Sequence, residues 1–356
     1  MRTPTALLLP LVVSATICFH PGPAFSQGLD SIGAPGPSLR RDVLLQGERS
    51  AQVLHRVRGP LLGLAVDEAG GVRLIRGLPG AASFSAPVAS VRSLDVWAVS
   101  SEKGYVLGVS GKAGRLVLLR NLSAVPETVE LPIEVGAGAR IALSPLGSAA
   151  AVLDASAGRL VVLGGLPDHP FPRWRLPADS LPGPVNALAV SDRGGEALAV
   201  AGSSLVRVRS TGWDFVAPLA ASARLAFVPG RDEAVYLDKA ALEAVRIRFT
   251  ASGALLEPLF GGADGLREPV GIAVSLDGRT VYVADAALPG VLAFDLGSRT
   301  LSAVRSPDAP AALTRLRGLR LFQLTARAAG PVYIYDGSRG APRVAFIPAA
   351  VDGGAK

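Results

Sequence analysis

Apolar residues along this 356-residue chain come in short runs bounded by glycine, proline and aspartate, not at the spacing of an amphipathic helix. The clearest stretch begins at Pro269 and reads PVGIAVSLDGRTVYVADAALPGVLAFDLGSRTLSAV. It predicts strands at residues 271–275, 280–284, 291–295 and 300–304, with Asp277-Gly278 turning the first hairpin. The same layout recurs in RIALSPLGSAAAVLDASAGRLVVL from Arg140, VWAVSSEKGYVLGVSGKAGRLVLL from Val96, NALAVSDRGGEALAVAGSSLVRV from Asn186 and RLAFVPGRDEAVYLDKAALEAVRI from Arg224. Looser copies flank these: GLAVDEAGGVRLI from Gly63, and a stretch from Ala311 through Val332-Tyr333-Ile334-Tyr335.

Aligning the copies places an alanine at one matching position of each first strand: Ala65, Ala98, Ala142, Ala189, Ala226 and Ala273, with Thr314 in the last copy. Ala65 and Thr314 are 249 residues and six steps apart, so the period is about 41–42 residues, the length of one four-stranded propeller blade. Blades converge on a central axis, where the innermost strand has least room for side chains, and a small residue fits there. The segment VYVADAALPGVLAFDL resembles the YVTN and NHL families of β-propeller repeats. The resemblance covers residues 62–347 and is one of fold; no copy carries the Gly-His…Trp-Asp pair of WD repeats. The expected architecture is all-β: a single β-propeller of seven four-stranded antiparallel blades. Six is the alternative, because only 33 residues separate Ala65 from Ala98. Strand-like residues 43–45 and 51–57 are expected to complete the first blade or pair with the last, since an open ring would leave exposed edges.

Composition narrows the class. Glycine (41) and proline (28) are spread along the chain, which suits many turns and argues against helical bundles. At the N-terminus, Arg2 precedes an apolar stretch at residues 6–19, and Ala24-Phe25-Ser26 presents small residues for cleavage before Gln27. The stretch is broken by Pro10, His20, Pro21 and Pro23 and falls short of a membrane span. Residues 1–26 are therefore expected to be a signal peptide, 27–42 a flexible lead-in, 43–348 the propeller and 349–356 a disordered tail. Cys18, the only cysteine, lies in the leader, so the mature chain has no disulfide, thiolate site or cysteine nucleophile. That usage points to a bacterial periplasm or exterior.

Candidate chemistry is sparse. The mature histidines are His55 and His169, in different repeats, which disfavours imidazole metal ligation and a Ser-His-Asp apparatus. No phosphate-binding G-x-x-x-x-G-K-[ST] loop occurs. Propeller lactonases similar to the regucalcin family hold a divalent ion in the channel, and Asp67, Asp95, Asn186, Asp192, Glu268 and Asp277 align near first strands. Of these, Asp67, Asp192 and Asp277 read as turn formers. Asp95 and Glu268 are the metal candidates of that alternative, although two asparagines in the whole chain can hardly supply the family's Glu-Asn-Asn-Asp set. No cofactor is expected.

The formal net charge is +7, carried by 32 arginines and four lysines. Arg140 and Arg224 precede first strands and Asn186 stands beside a third, so these three are the candidate ligand-binding residues of a channel mouth, suited to anionic groups or acidic loops. The runs Val206-Arg207-Val208-Arg209 and Val245-Arg246-Ile247-Arg248 read as half-exposed third strands. Trp97 is expected in the core, Trp174 and Trp213 on outer strands or exposed loops, and no basic-aromatic platform for nucleic acid emerges. The reading is an exported, non-enzymatic binding or scaffolding module of the cell envelope. It is expected to be monomeric, with a protein partner, no nucleic acid and no transmembrane anchor. The alternatives are a channel-metal hydrolase or lactonase, and a secreted adhesin or polyanion binder.

Overall fold

Strands that pack against a neighbouring sheet on both faces should be mainly apolar, and the second strands of this protein are, with polar residues mostly at their ends. In the computed structural model the second strands Ala150–Asp154, Glu196–Ala201 and Thr280–Asp285 are buried at every position. The structure describes residues 59–349 except 137, 327–329 and 339. The expected leader, the lead-in, the strand-like residues 43–45 and 51–57, His55 and residues 350–356 lie outside the described residues.

Among the described residues, twenty-eight strands form seven antiparallel four-stranded sheets, each built from consecutive strands. The helical elements among the described residues are two three-residue turns, Ala178–Ser180 and Gly262–Asp264. None is long and apolar enough to cross a membrane. In the block that begins at Pro269 the strands are Pro269–Val274, Thr280–Asp285, Gly290–Asp295 and Thr300–Arg305, each within two residues of the expected bounds. The inner strands of blades 1 to 7 are Leu61–Val66, Leu94–Ser100, Arg140–Leu143, Val185–Val190, Arg224–Phe227, Pro269–Val274 and Thr314–Arg315. From blade 2 to blade 6 each contacts the next around the axis. Seven apolar clusters fill the seven inter-blade interfaces, including the one that joins blade 7 to blade 1 through Leu316, Leu321 and Ile334 against Leu62 and Ile75. The ring therefore closes by side-chain burial between described blades.

The recurring alanine holds one register. Ala98, Ala142, Ala189, Ala226, Ala273 and Thr314 each face the second-strand residue nine positions ahead, from Leu107 in blade 2 to Gln323 in blade 7. The inner strands begin earlier than expected in blades 1, 2, 4 and 6, because one extra residue bulges out three positions before the alanine: Leu62, Asp95, Asn186 and Val270. A bulge bends its strand and re-aims the side chain it carries.

Blade 1 departs from the other six. Ala65 faces Arg73, eight positions ahead, and the two-residue strands Ser83–Phe84 and Ala89–Ser90 both pair with the second strand, Gly71–Arg76. Its direction is also reversed. The first hairpins of blades 3 to 7 meet on one face, where Asp192 accepts from Leu146 N and Gly230 N, and Leu276 N donates to Leu319 O. Against the hairpins of blades 7 and 2 lies the start of blade 1's inner strand: Leu64 N donates to Ser101 Oγ at 3.1 Å and Arg317 N to Leu62 O at 2.7 Å. A Cβ on Gly63 would stand 2.6 Å from Leu316 Cδ2 and 2.9 Å from Ser101 Oγ, so this wedge has no room for a larger residue. The hairpin at Asp67 is at the other end of the ring, next to Arg92, whose Nε donates to Ala69 O. Only three residues then link Ser90 to Leu94, a short step into blade 2 that this reversal makes feasible.

Candidate functional site at the axial channel

The inner strands run from an entry face, where blades 2 to 7 begin, to a hairpin face about 17–20 Å away for six residues of strand. Their half-buried apolar side chains, among them Trp97, Ile141, Leu143, Leu188 and Leu225, form the wall between. Trp97 packs on the cluster joining blades 1 and 2.

The entry face gathers the expected ligand-binding residues on one arc. Arg140 and Arg224 are the first residues of their inner strands, not the residues preceding them, and share one register, two positions before the alanine. Both are exposed. Asn186 is the bulge residue of the blade between, and Arg140 Nη1 donates to its carbonyl at 2.7 Å. The Asn186 amide donates to Pro184 O at 3.3 Å, and Arg224 Nη1 to Ser222 O and Ala223 O, both at 3.3 Å. Arg140 and Asn186 are thus brought together, with Arg224 one blade further on.

The carboxylates align less well than their sequence positions imply. Asp95 and Glu268 are exposed at the entry ends of blades 2 and 6, with the arginine arc between them. Asp192 and Asp277 are at the hairpin face, a strand length away, so the six aligned oxygen donors cannot converge on one ion. The hairpin aspartates serve their turns. Burial acts to raise Asp277, but the Ser275 hydroxyl, the Arg279 N–H and the Arg320 guanidinium outweigh it and hold the carboxyl below its usual range. Asp67 is likewise opposed by burial and held low by Arg73 at 2.7 Å and by Gly71 N. Among the described residues no three His, Cys, Asp or Glu side chains gather at metal-binding distance.

The hairpin face holds a site that was not anticipated. A cavity of about 160 Å³ is lined by Val99, Ser100, Ser101, Glu102, Leu143, Ser144, Pro145 and Arg315. Arg315 follows Thr314 in the inner strand of blade 7. The corresponding residues of blades 2 to 6 are Val99, Leu143, Val190, Phe227 and Val274. Its Nη2 donates to Val274 O, its Cζ lies 5.2 Å from the centre of the Phe322 ring, and its Nη1 is buried with no hydrogen-bond partner among the described residues. Burial lowers the guanidinium to about 10, against the opposing pull of Glu102, Asp192 and Tyr282. The one sequence-level signal was a lone charge where the other copies carry Val, Leu or Phe.

The remaining expectations divide. The two Val-Arg/Ile-Arg runs are third strands, with Arg207 on Glu196 and over the Phe249 ring at 4.1 Å, and Arg246 on Glu233. Trp213 is exposed on an outer strand and donates to Ser180 O, and His169 is exposed in its loop. Trp174 is also on an outer strand but is buried between blades 3 and 4, because its indole Nε1 reaches Gly194 O at 2.8 Å.

No family model matches the sequence, and no curated protein matches it. Among solved structures, the chain is similar to a proposed 6-phosphogluconolactonase from Bacteroides uniformis, with 15% identity and a TM-score of 0.53 over 81% of this chain and 96% of the other. Streptogramin B lyase gives 16% and 0.47 over 69% and 80%. The calcium-binding protein regucalcin from Agrobacterium tumefaciens gives 13% and 0.42 over 79% and 88%. The chain is a seven-bladed β-propeller. The likeness to the first of these is one of fold alone and leaves the activity to the chemistry of the channel.

Proposed function

We propose that this propeller is an exported, non-enzymatic binding module of the bacterial cell envelope that takes an acidic partner segment at the entry face. The observation that carries the reading is the matched register of Arg140 and Arg224, exposed on blades 3 and 5 with Asn186 bulging between them. Two guanidiniums at fixed spacing suit carboxylates, which accept paired N–H bonds from each. The leader at residues 1–26 supports export. The use of Asp67, Asp192 and Asp277 inside their own turns and interfaces supports binding over hydrolysis.

The test is calorimetry with a hexaglutamate peptide at moderate salt, repeated on Arg140→Ala, Arg224→Ala and the double variant. Each arginine removed should weaken binding by about tenfold, and a hexalysine peptide should not bind. Binding that disappears steeply with added salt and survives both substitutions would favour the polyanion reader. Calcium-dependent lactone hydrolysis lost in Asp95→Ala or Glu268→Ala would replace the proposal with the hydrolase reading.

A further inference from the structure

The cavity on the hairpin face is chemically unlike the rest of the channel. Five blades place an apolar residue at the position of Arg315, each opposite a small or apolar second-strand partner: Val106, Ala150, Ala197, Ala234 or Val281. Blade 7 puts a guanidinium there, opposite Phe322. A buried donor without an acceptor destabilises the fold, and a charged one does so more strongly. The Phe322 ring offsets part of that cost, and one bond to Val274 O satisfies Nη2. Neither accounts for Nη1. Among the described residues, the packing around Arg315 offers Nη1 no acceptor.

The opposite wall supplies the complement. Glu102, from the first hairpin of blade 2, is half-buried; its Oε2 is 3.4 Å from Gly318 N, and among the described residues it is the one carboxylate lining the cavity. The hydroxyls of Ser101 and Ser144 accept backbone N–H bonds from Leu64 and from Ser148 and Ala149, which orients them in the wall. Val99, Leu143 and Pro145 add apolar surface. The space equals about five water molecules of liquid volume. One cation, one anion, fixed hydroxyls and an apolar side in a space this small match a compact zwitterion.

We propose that the hairpin-face cavity binds a free α-amino acid with a small side chain. Its carboxylate is held by Arg315, its ammonium by Glu102, and its side chain rests against Val99, Leu143 and Pro145. This site is a strand length from Arg140 and Arg224 and is independent of the acidic partner assigned to them.

Thermal unfolding and calorimetry of the purified chain with L-alanine and L-serine, beside propionate and ethylamine as their half-ligands, decide the matter. The amino acids should raise the melting temperature by a few degrees at saturating concentration, and each half-ligand should bind at least about tenfold more weakly. Arg315→Leu, which restores the residue type of the other blades, should lose amino-acid binding and melt at or above the temperature of the unliganded parent. Glu102→Gln should lose the preference for alanine over propionate. Absence of any shift in the parent chain, an equal shift with ethylamine, or amino-acid binding that survives Arg315→Leu would overturn the proposal. Arg140→Ala, on the other face, should leave the shift unchanged.

Discussion

Blade 6 and blade 1 solve the same problem with different amounts of chain. Blade 6 has four strands of six residues each, with a second strand buried at every position. Blade 1 has two full strands, two fragments of two residues, and the opposite direction. Both bury apolar surface against two neighbours, blade 6 through the clusters it shares with blades 5 and 7, and blade 1 through those it shares with blades 2 and 7. Ring closure therefore demands that each interface be filled, and it tolerates a thin, inverted blade if the apolar residues arrive in the right volume. What a regular blade adds is backbone pairing.

That contrast can be broken from the packing side first. Tyr282 of blade 6 is buried against Phe322 and Tyr335, with ring centres 4.8 and 5.4 Å away. Tyr282→Ala should cost roughly 3–5 kcal/mol in urea unfolding. In blade 1 the corresponding weight falls on a buried ion pair. Arg73 and Asp67 have side chains only 7% and 11% exposed. Asp67→Asn takes a carboxylate away from this buried guanidinium, and should cost about 3 kcal/mol by the same measurement.

The turns give a smaller contrast. Asp277→Asn loses the charge on a partly exposed bridge to Arg320 and should cost about 1 kcal/mol. Both carboxyls lie below their unfolded range, so the stability they provide is fully present above about pH 4 and is lost as pH falls through their folded values. Acid titration of the parent should show a decline below about pH 4 that is blunted in Asp67→Asn and Asp277→Asn. The least perturbing comparison is hydrogen exchange. Amides of Ser83–Phe84 and Ala89–Ser90 should exchange about a hundredfold faster than those of Gly290–Asp295, which pair on both sides.

Much of blade 6 was legible because its turn chemistry and its apolar runs agree: Asp277-Gly278 could only be a turn, and the runs on either side could only be strands. The recurring alanine was legible for the same reason, as one small residue per period held at one register. The direction of blade 1 was not, since GLAVDEAGGVRLI is the same hairpin whichever face it turns towards. Asp95 and Asn186 were placed near the mouth without the bulge that presents them, because a bulge adds a residue without changing residue type. Trp174 was placed on an outer strand without its burial, because its flanking arginines are exposed while its own ring alternates inward. Arg315 passed unnoticed because its blade is the least regular copy in sequence, and its oddity shows only after all six inner strands are in register.

Alone, the order of residues determined the class of structure, the repeat length, the strand bounds of the regular blades and the register of the small residue near the axis. These depend on local turn preference and period-two patterning, which operate over a few neighbours. Tertiary structure decided which end of the ring each hairpin occupies, which carboxylates share a face of it, and that one guanidinium from blade 7 shares a cavity with a glutamate from blade 2. Arg315 and Glu102 are 213 positions apart. Their pairing follows from closing a ring, and the geometry of closure is written in the volumes filled between blades rather than in any single stretch of sequence.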